Sequence, residues 1–82
     1  ELIWGRMYNT GQVCCASKRF LIQKNRVEEF TTKAVERISQ LKQGMPSEES
    51  TQIGCLISEK AAIEVEKQIQ LTVEQGGKIA LG

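Results

Sequence analysis

Two stretches of this chain place apolar side chains at steps of three and four, and each needs a covering layer. The first carries Val27, Phe30, Ala34, Ile38 and Leu41; the second carries Ala62, Val65, Ile69 and Val73. That spacing is the buried stripe of an amphipathic helix. Asn25, with Glu28 three residues on, reads as the capping box of the first helix. Glu29 and Lys33 form a favourable i,i+4 pair on its other side. Lys42 and Gly44 end it, and Pro46 makes re-entry unfavourable. Ser58 caps the second helix, and Gly76-Gly77 terminates it.

The remaining segments are short. Residues 1–8 read as the tail of a helix, with Trp4 and Met7 on one face. Residues 9–12 read as a turn and 13–17 as a short helical turn. Residues 19–23 read as a strand, and 45–57 as a polar loop that becomes apolar at Ile53-Gly54-Cys55-Leu56-Ile57. Residues 78–81 read as the start of another strand. The order is helix, turn, strand, helix, loop, helix, strand, which is α/β organisation. The two strands have no third neighbour, and 82 residues bury only a modest core. Both ends read as cut. The expectation is a single partial domain over 1–82, a middle slice of a larger one.

Composition narrows the classes of function. A net charge of +1 gives no electrostatic footprint for nucleic acid or an anionic membrane. The apolar runs are too short to span a bilayer, and Glu1-Leu2-Ile3-Trp4 lacks the basic start of a signal peptide. Three cysteines, with no CxxC and no histidine, fit neither a closed disulfide framework nor a well-spaced zinc site. Free thiols suit the reducing cytoplasm. Without histidine no Cys-His dyad forms, so a nucleophilic cysteine would need a carboxylate, a lysine or water as base.

The chemistry-bearing stretch is Asn9-Thr10-Gly11-Gln12-Val13-Cys14-Cys15-Ala16-Ser17-Lys18-Arg19-Phe20. It sets Cys14 after a glycine turn, at the expected start of a helical segment. Unpaired N–H groups at a helix N-terminus favour a thiolate and hydrogen-bond an oxyanion. The plainer reading is a small buried hydrophobe near a turn.

Asn9-Thr10-Gly11-Gln12-Val13-Cys14, followed by Ala16-Ser17-Lys18-Arg19-Phe20, resembles the active-site cysteine signature of the aldehyde dehydrogenase superfamily. Downstream, Gln52-Ile53-Gly54-Cys55-Leu56-Ile57-Ser58 resembles that family's Gly-Pro-Leu-Ile-Ser loop. The helix ending in Gly76-Gly77-Lys78 resembles the family's next segment. The resemblance covers essentially the whole chain and is most specific around Cys14. Cys55 departs from the pattern, standing where the family commonly has Pro; its plain reading is a buried packing residue.

The resemblance implies a partial aldehyde-dehydrogenase-like catalytic domain with Cys14 as nucleophile. Cys15 occupies a position that varies among family members. Asn9, Gly11 and Gln12 shape the loop that presents Cys14. The family oxidises aldehydes to carboxylic acids with NAD or NADP through a cysteine thioester. The Cys14 backbone N–H and an Asn from earlier in the fold hold the oxyanion, and a Glu, also from earlier, activates water. The motifs for that Glu and Asn, and most of the cofactor-binding domain, are expected upstream of residue 1. No phosphate-cradling glycine loop occurs here, and Gly76-Gly77 reads as a helix C-cap. No cofactor is expected on residues 1–82 alone. Val13 and Lys18-Arg19-Phe20 lean towards the succinate-semialdehyde branch. A homo-oligomer in the cytoplasm is expected, with an aldehyde substrate and neither nucleic acid nor membrane as partner. Two alternatives stay open. One is a catalytically inactive remnant or self-associating interaction module, since truncated layers leave apolar stripes and strand edges uncovered. The other is a thiol redox protein using Cys14 and Cys15, which a strained vicinal disulfide disfavours.

Overall fold

The computed structural model describes all residues, Glu1–Gly82. Three α-helices form: α1 (Leu2–Met7), α2 (Val27–Ser39) and α3 (Glu59–Glu74). A tight turn at Tyr8–Gly11, left-handed from Asn9 on, follows α1, and a short 3-10 turn at Lys24–Arg26 precedes α2. Residues 19–23 and 78–81 form no strand, so the expected α/β sheet does not form. One parallel bridge, Gln43 to Ile53, is the only β pairing. The reason is the missing third neighbour: a strand is stable only when its N–H and C=O groups find another strand. The alternation of residues 19–23 still acts. Phe20 and Ile22 are half-buried while Leu21 is 97% exposed. Phe20 meets Phe30 of α2, ring centroids 5.8 Å apart. The segment therefore docks one face on α2 without β pairing.

Helix α2 follows its stripe. Phe30, Ala34, Ile38 and Leu41 are half-buried, and Val27 at the end of the stripe is exposed. Its start differs from the expected capping box. Arg26 is the N-cap residue and no side chain closes the first turn. The chain enters through the 3-10 turn, whose Arg26 N–H donates to the Gln23 carbonyl (2.8 Å), so Asn25 lies inside a turn and does not cap one. Glu28 and Glu29 in the first turn face the positive end of the helix dipole. Helix α2 stops at Ser39, ahead of Lys42 and Gly44, where the Leu41 N–H turns to the Ile38 carbonyl (3.0 Å).

Residues 42–53 fold back on themselves. The Lys42 carbonyl accepts from the N–H groups of Gln52 (2.9 Å) and Ile53 (3.1 Å), and the Gly44 N–H donates to the Ile53 carbonyl (3.2 Å). This closure drives Ile53 inward. Ile53 and Ala16 are the only buried residues in the chain, at 4% and 6% exposure.

Helix α3 has well-formed ends and no cover. Ser58 Oγ accepts from the Ala61 N–H (3.1 Å), the expected N-cap. At the other end Gly76, at φ +100°, takes the left-handed position. The Gly77 N–H then donates to the Thr72 carbonyl (2.8 Å) and the Gly76 N–H to the Val73 carbonyl (3.0 Å), a Schellman termination. The expected buried stripe is exposed: Ala62, Val65, Ile69 and Val73 all face solvent. The spacing is helical as read, yet no other element of the chain packs on it. The accessible surface is 7367 Å² for a 9.2 kDa chain. A compact monomer of that mass would show about 4,900 Å².

Candidate active site

Three consecutive residues ahead of Cys14 adopt left-handed backbone: Asn9 (φ 49°), Thr10 (φ 58°) and Gly11 (φ 74°). Asn tolerates this region and Gly enters it freely, but a β-branched Thr is disfavoured there. Gly11 has a second reason to be glycine. A Cβ there would lie 2.9 Å from Arg6 Nη1 and 3.2 Å from the Arg6 carbonyl. The turn is thus folded tightly onto the end of α1.

Strained backbone persists where its surroundings hold it. Gln12 supplies most of that hold. The Ile57 N–H donates to Gln12 Oε1 (2.8 Å), and Gln12 Nε2 donates to the carbonyls of Asn9 (3.2 Å) and Cys55 (3.4 Å). Asn9 Nδ2 reaches the Gln12 carbonyl, and Thr10 Oγ1 reaches the Gly54 carbonyl, each at 3.4 Å. The 2.8 Å bond is the firm one, and the bonds at 3.4 Å are weak. The two motifs singled out in the sequence, around Cys14 and over 52–58, are therefore stitched together. The contacts of Thr10, Gly54 and Ile57 had no sequence signal, because two of the three use backbone groups alone.

Cys14 follows on a single turn closed by the Ala16 N–H to the Val13 carbonyl (3.0 Å). Ala16 is buried and Val13 half-buried, which directs Cys14 and Cys15 outward; both are exposed free thiols. No helix continues from 13–17, so the expected helix N-terminus at Cys14 is not present. The irregular segment from Ser17 to Gln23, tied to α2 through Phe20, draws the chain away after one turn. No backbone or side-chain acceptor engages the Cys14 N–H. Cys55 is exposed, contrary to its expected burial; its carbonyl faces Gln12 while its thiol stays free.

Gly76-Gly77 does not form a dinucleotide cradle. The N–H groups of Gly76 and Gly77 are already taken by the carbonyls of Val73 and Thr72, at the negative end of the α3 dipole. A phosphate would meet repulsion there. No helix of the chain is long and apolar enough to cross a membrane.

Comparison with known proteins places this geometry in context. The model of the aldehyde dehydrogenase family matches residues 1–82. The lactaldehyde dehydrogenase of Methanococcus aeolicus is 44% identical over 78 residues, covering 95% of this chain and 17% of that protein. The succinate semialdehyde dehydrogenase [NAD(P)+] of Escherichia coli is 37% identical over 78 residues, covering 95% of this chain and 17% of that protein. The succinate-semialdehyde dehydrogenase [NADP(+)] of Deinococcus radiodurans is 35% identical over 78 residues, covering 95% and 16%. No solved structure matches. The chain spans about one sixth of the length of the curated relatives it matches. A match running from the first residue to the last, with Cys14 on its outward turn inside it, shows that the chain belongs to the aldehyde dehydrogenase family.

Proposed function

We propose that residues 1–82 are a partial catalytic domain that supplies the nucleophile of an aldehyde-oxidising enzyme, and that Cys14 is that nucleophile. The observation that carries this reading is the Val13–Ala16 turn, which buries Ala16 and turns Cys14 outward beside a free N–H. The Cys14 thiolate adds to the aldehyde carbon, and the carbonyl π electrons move to oxygen. The Cys14 N–H donates to the resulting oxyanion. Asn9, Gly11 and Gln12 shape the loop that presents the thiol. Oxidation of the adduct then needs a hydride acceptor, which NAD or NADP supplies when bound. Gly76 and Gly77 offer no free N–H to its phosphates, and this reading assigns the cofactor site, the oxyanion Asn and the general base to segments outside residues 1–82.

The substrate class is aldehydes. The finer reading, the succinate-semialdehyde branch, rests on Val13 and Lys18-Arg19-Phe20 and on two of the relatives above. The enzyme is placed in the cytoplasm, where its three free thiols stay reduced. A homo-oligomer fits the uncovered apolar face of α3.

The test is a chimera. Residues 1–82 replace the matching segment of the Methanococcus aeolicus relative, and aldehyde-dependent reduction of NAD and NADP is followed. The chimera is expected to turn over, and Cys14→Ala to lower kcat by at least about a thousandfold. Turnover that survives Cys14→Ala, or depends on Cys15 in its place, overturns the assignment. The 82-residue chain alone is expected to be inactive; reduction of NAD at rates comparable to a full-length enzyme would overturn that. A second reading, a self-associating inactive remnant, is favoured by the surface of 7367 Å² that this chain leaves open.

A further inference from the structure

We infer that Gln12 is a positioning residue for Cys14. Its carboxamide joins the strained turn at residues 9–11 to the backbone of 55–57 and so fixes the direction in which the thiol leaves the next turn. This deepens the proposal above and rests on Cys14 being the nucleophile.

The reasoning starts from strain. Asn9 and Thr10 hold φ of 49° and 58°, a region that a β-branched residue such as Thr10 rarely enters. Left alone, residues 9–11 would relax towards ordinary turn geometry and rotate everything downstream. Cys14 lies two residues past Gln12, too near for the relaxation to dissipate. Three contacts oppose it from one side chain. Oε1 accepts from the Ile57 N–H at 2.8 Å, and Nε2 donates to the Asn9 carbonyl at 3.2 Å and the Cys55 carbonyl at 3.4 Å. The first anchors Gln12 to the far loop, and the second reinforces on the Asn9 carbonyl the closure that the Gln12 backbone N–H already makes at 3.1 Å. The far loop is itself firmly set. Ile53, shortly before the contact points, is one of two buried residues, and the Ser58 cap begins α3 immediately after Ile57. Gln12 thus spans from a fixed support to the turn that precedes the thiol.

Two variants separate the contributions. Gln12→Met keeps length and bulk but removes both polar ends. Gln12→Glu keeps the acceptor for the Ile57 N–H and loses the donor to the two carbonyls. The readout is the ratio of iodoacetamide labelling at Cys14 to that at Cys15, mapped by mass spectrometry at one fixed pH, beside hydrogen exchange at the Ile57 amide. Cys15 shares the turn and the exposure of Cys14, so it is the internal reference; the ratio in urea gives the value without positioning. In the unmodified chain the ratio should differ from the urea value. Gln12→Met should bring it to the urea value and speed Ile57 exchange about tenfold, the effect of one lost hydrogen bond of about 1.4 kcal/mol. Amides within α2 and α3 should keep their rates. Gln12→Glu should keep Ile57 exchange within about threefold of the unmodified chain and hold an intermediate ratio.

Three results overturn the inference: a ratio in the unmodified chain equal to the urea value, a ratio unmoved by Gln12→Met while Ile57 exchange rises, or Ile57 exchange that does not respond to Gln12→Met. If Gln12→Met loses protection throughout α2 and α3, Gln12→Glu decides; a ratio in that variant equal to the urea value overturns the inference. The outcome is separable from that of the chimera. A chimera whose activity survives Cys14→Ala removes the nucleophile and leaves the ratio unaffected, whereas an unmoved ratio removes the role of Gln12 and leaves the nucleophile standing.

Discussion

The turn at residues 9–16 and helix α3 answer the same question, how a segment is held in place, in opposite ways. The turn is strained, short and irregular, yet its partners are all within this chain: Arg6 beneath Gly11, the 54–57 backbone beside Gln12, buried Ala16 at its end. Helix α3 is regular, capped at both ends and unstrained, yet no other helix packs on its apolar stripe, which only the following segment at Ile79 approaches. A few hydrogen bonds, several of them to the distant 54–57 backbone, shape the first. The second has local structure in full and little tertiary packing. Geometry near Cys14 is therefore self-contained, while the covering of α3 depends on a surface that residues 1–82 do not provide.

The sharpest way to break that contrast is to truncate one isoleucine in each region. Ile53→Ala removes one of two buried side chains and should cost about 2–4 kcal/mol. The loss should appear as fast exchange at the Gly44 and Ile57 amides. Ile69→Ala, at a position 47% exposed, should cost well under half of that. Equal losses would mean that α3 is covered after all. The next largest effect compares two left-handed glycines. Gly11→Ala meets Arg6 as well as an unfavourable φ and should cost about 2–3 kcal/mol, read at Ile57. Gly76→Ala, with nothing within 4 Å of the new Cβ, should cost about 1 kcal/mol. That loss should be confined to the last turn of α3.

Much of this is legible in the sequence, for reasons that separate by range. Ser58, Gly76-Gly77 and the Glu29–Lys33 pair act within a few residues and can be read directly, because caps and i,i+4 pairs need no distant partner. The Phe30-Ala34-Ile38-Leu41 stripe marks the inward face of α2. The strands expected at 19–23 and 78–81 are absent, since alternation shows which face is apolar and not whether a partner strand exists. Phe20 and Ile22 satisfy that alternation by docking on α2. The stripe of α3 has the expected spacing and not the expected burial, for the same reason. At the site, residue types in a pattern are enough to single out Cys14, but the expected helix terminus is missing: one 13–16 hydrogen bond closes a turn, and the chain then leaves for α2. The Gln12 contacts are out of reach of the sequence, because no periodicity links residue 12 to residues 55–57. For Cys55 the residue type suggests burial, whereas the loop turns only its carbonyl inward.

Two smaller effects probe how each helix holds itself. Ser58→Ala removes the oxygen that takes the Ala61 N–H and should cost about 1 kcal/mol in the first turn of α3. That loss should be the same at low and high salt, since a neutral hydroxyl cap carries no net charge to screen. Glu29→Gln is the smallest and behaves differently. One carboxylate bridges Lys33 Nζ (2.7 Å, through Oε1) and Arg26 Nε (3.1 Å, through Oε2), with all three side chains roughly half or more exposed. Exposed pairs of this kind contribute about 0.3–0.5 kcal/mol each at low ionic strength. At about 1 M salt the screening length falls to about 3 Å, so most of the difference between the unmodified chain and the Glu29→Gln variant should vanish from exchange rates in the first turn of α2. A salt-independent loss would mean that Glu29 works through hydrogen-bond geometry in a turn that has no side-chain cap of its own. Helix α2 would then resemble α3 in holding its start by directed bonds, and the two helices would differ only in what covers them.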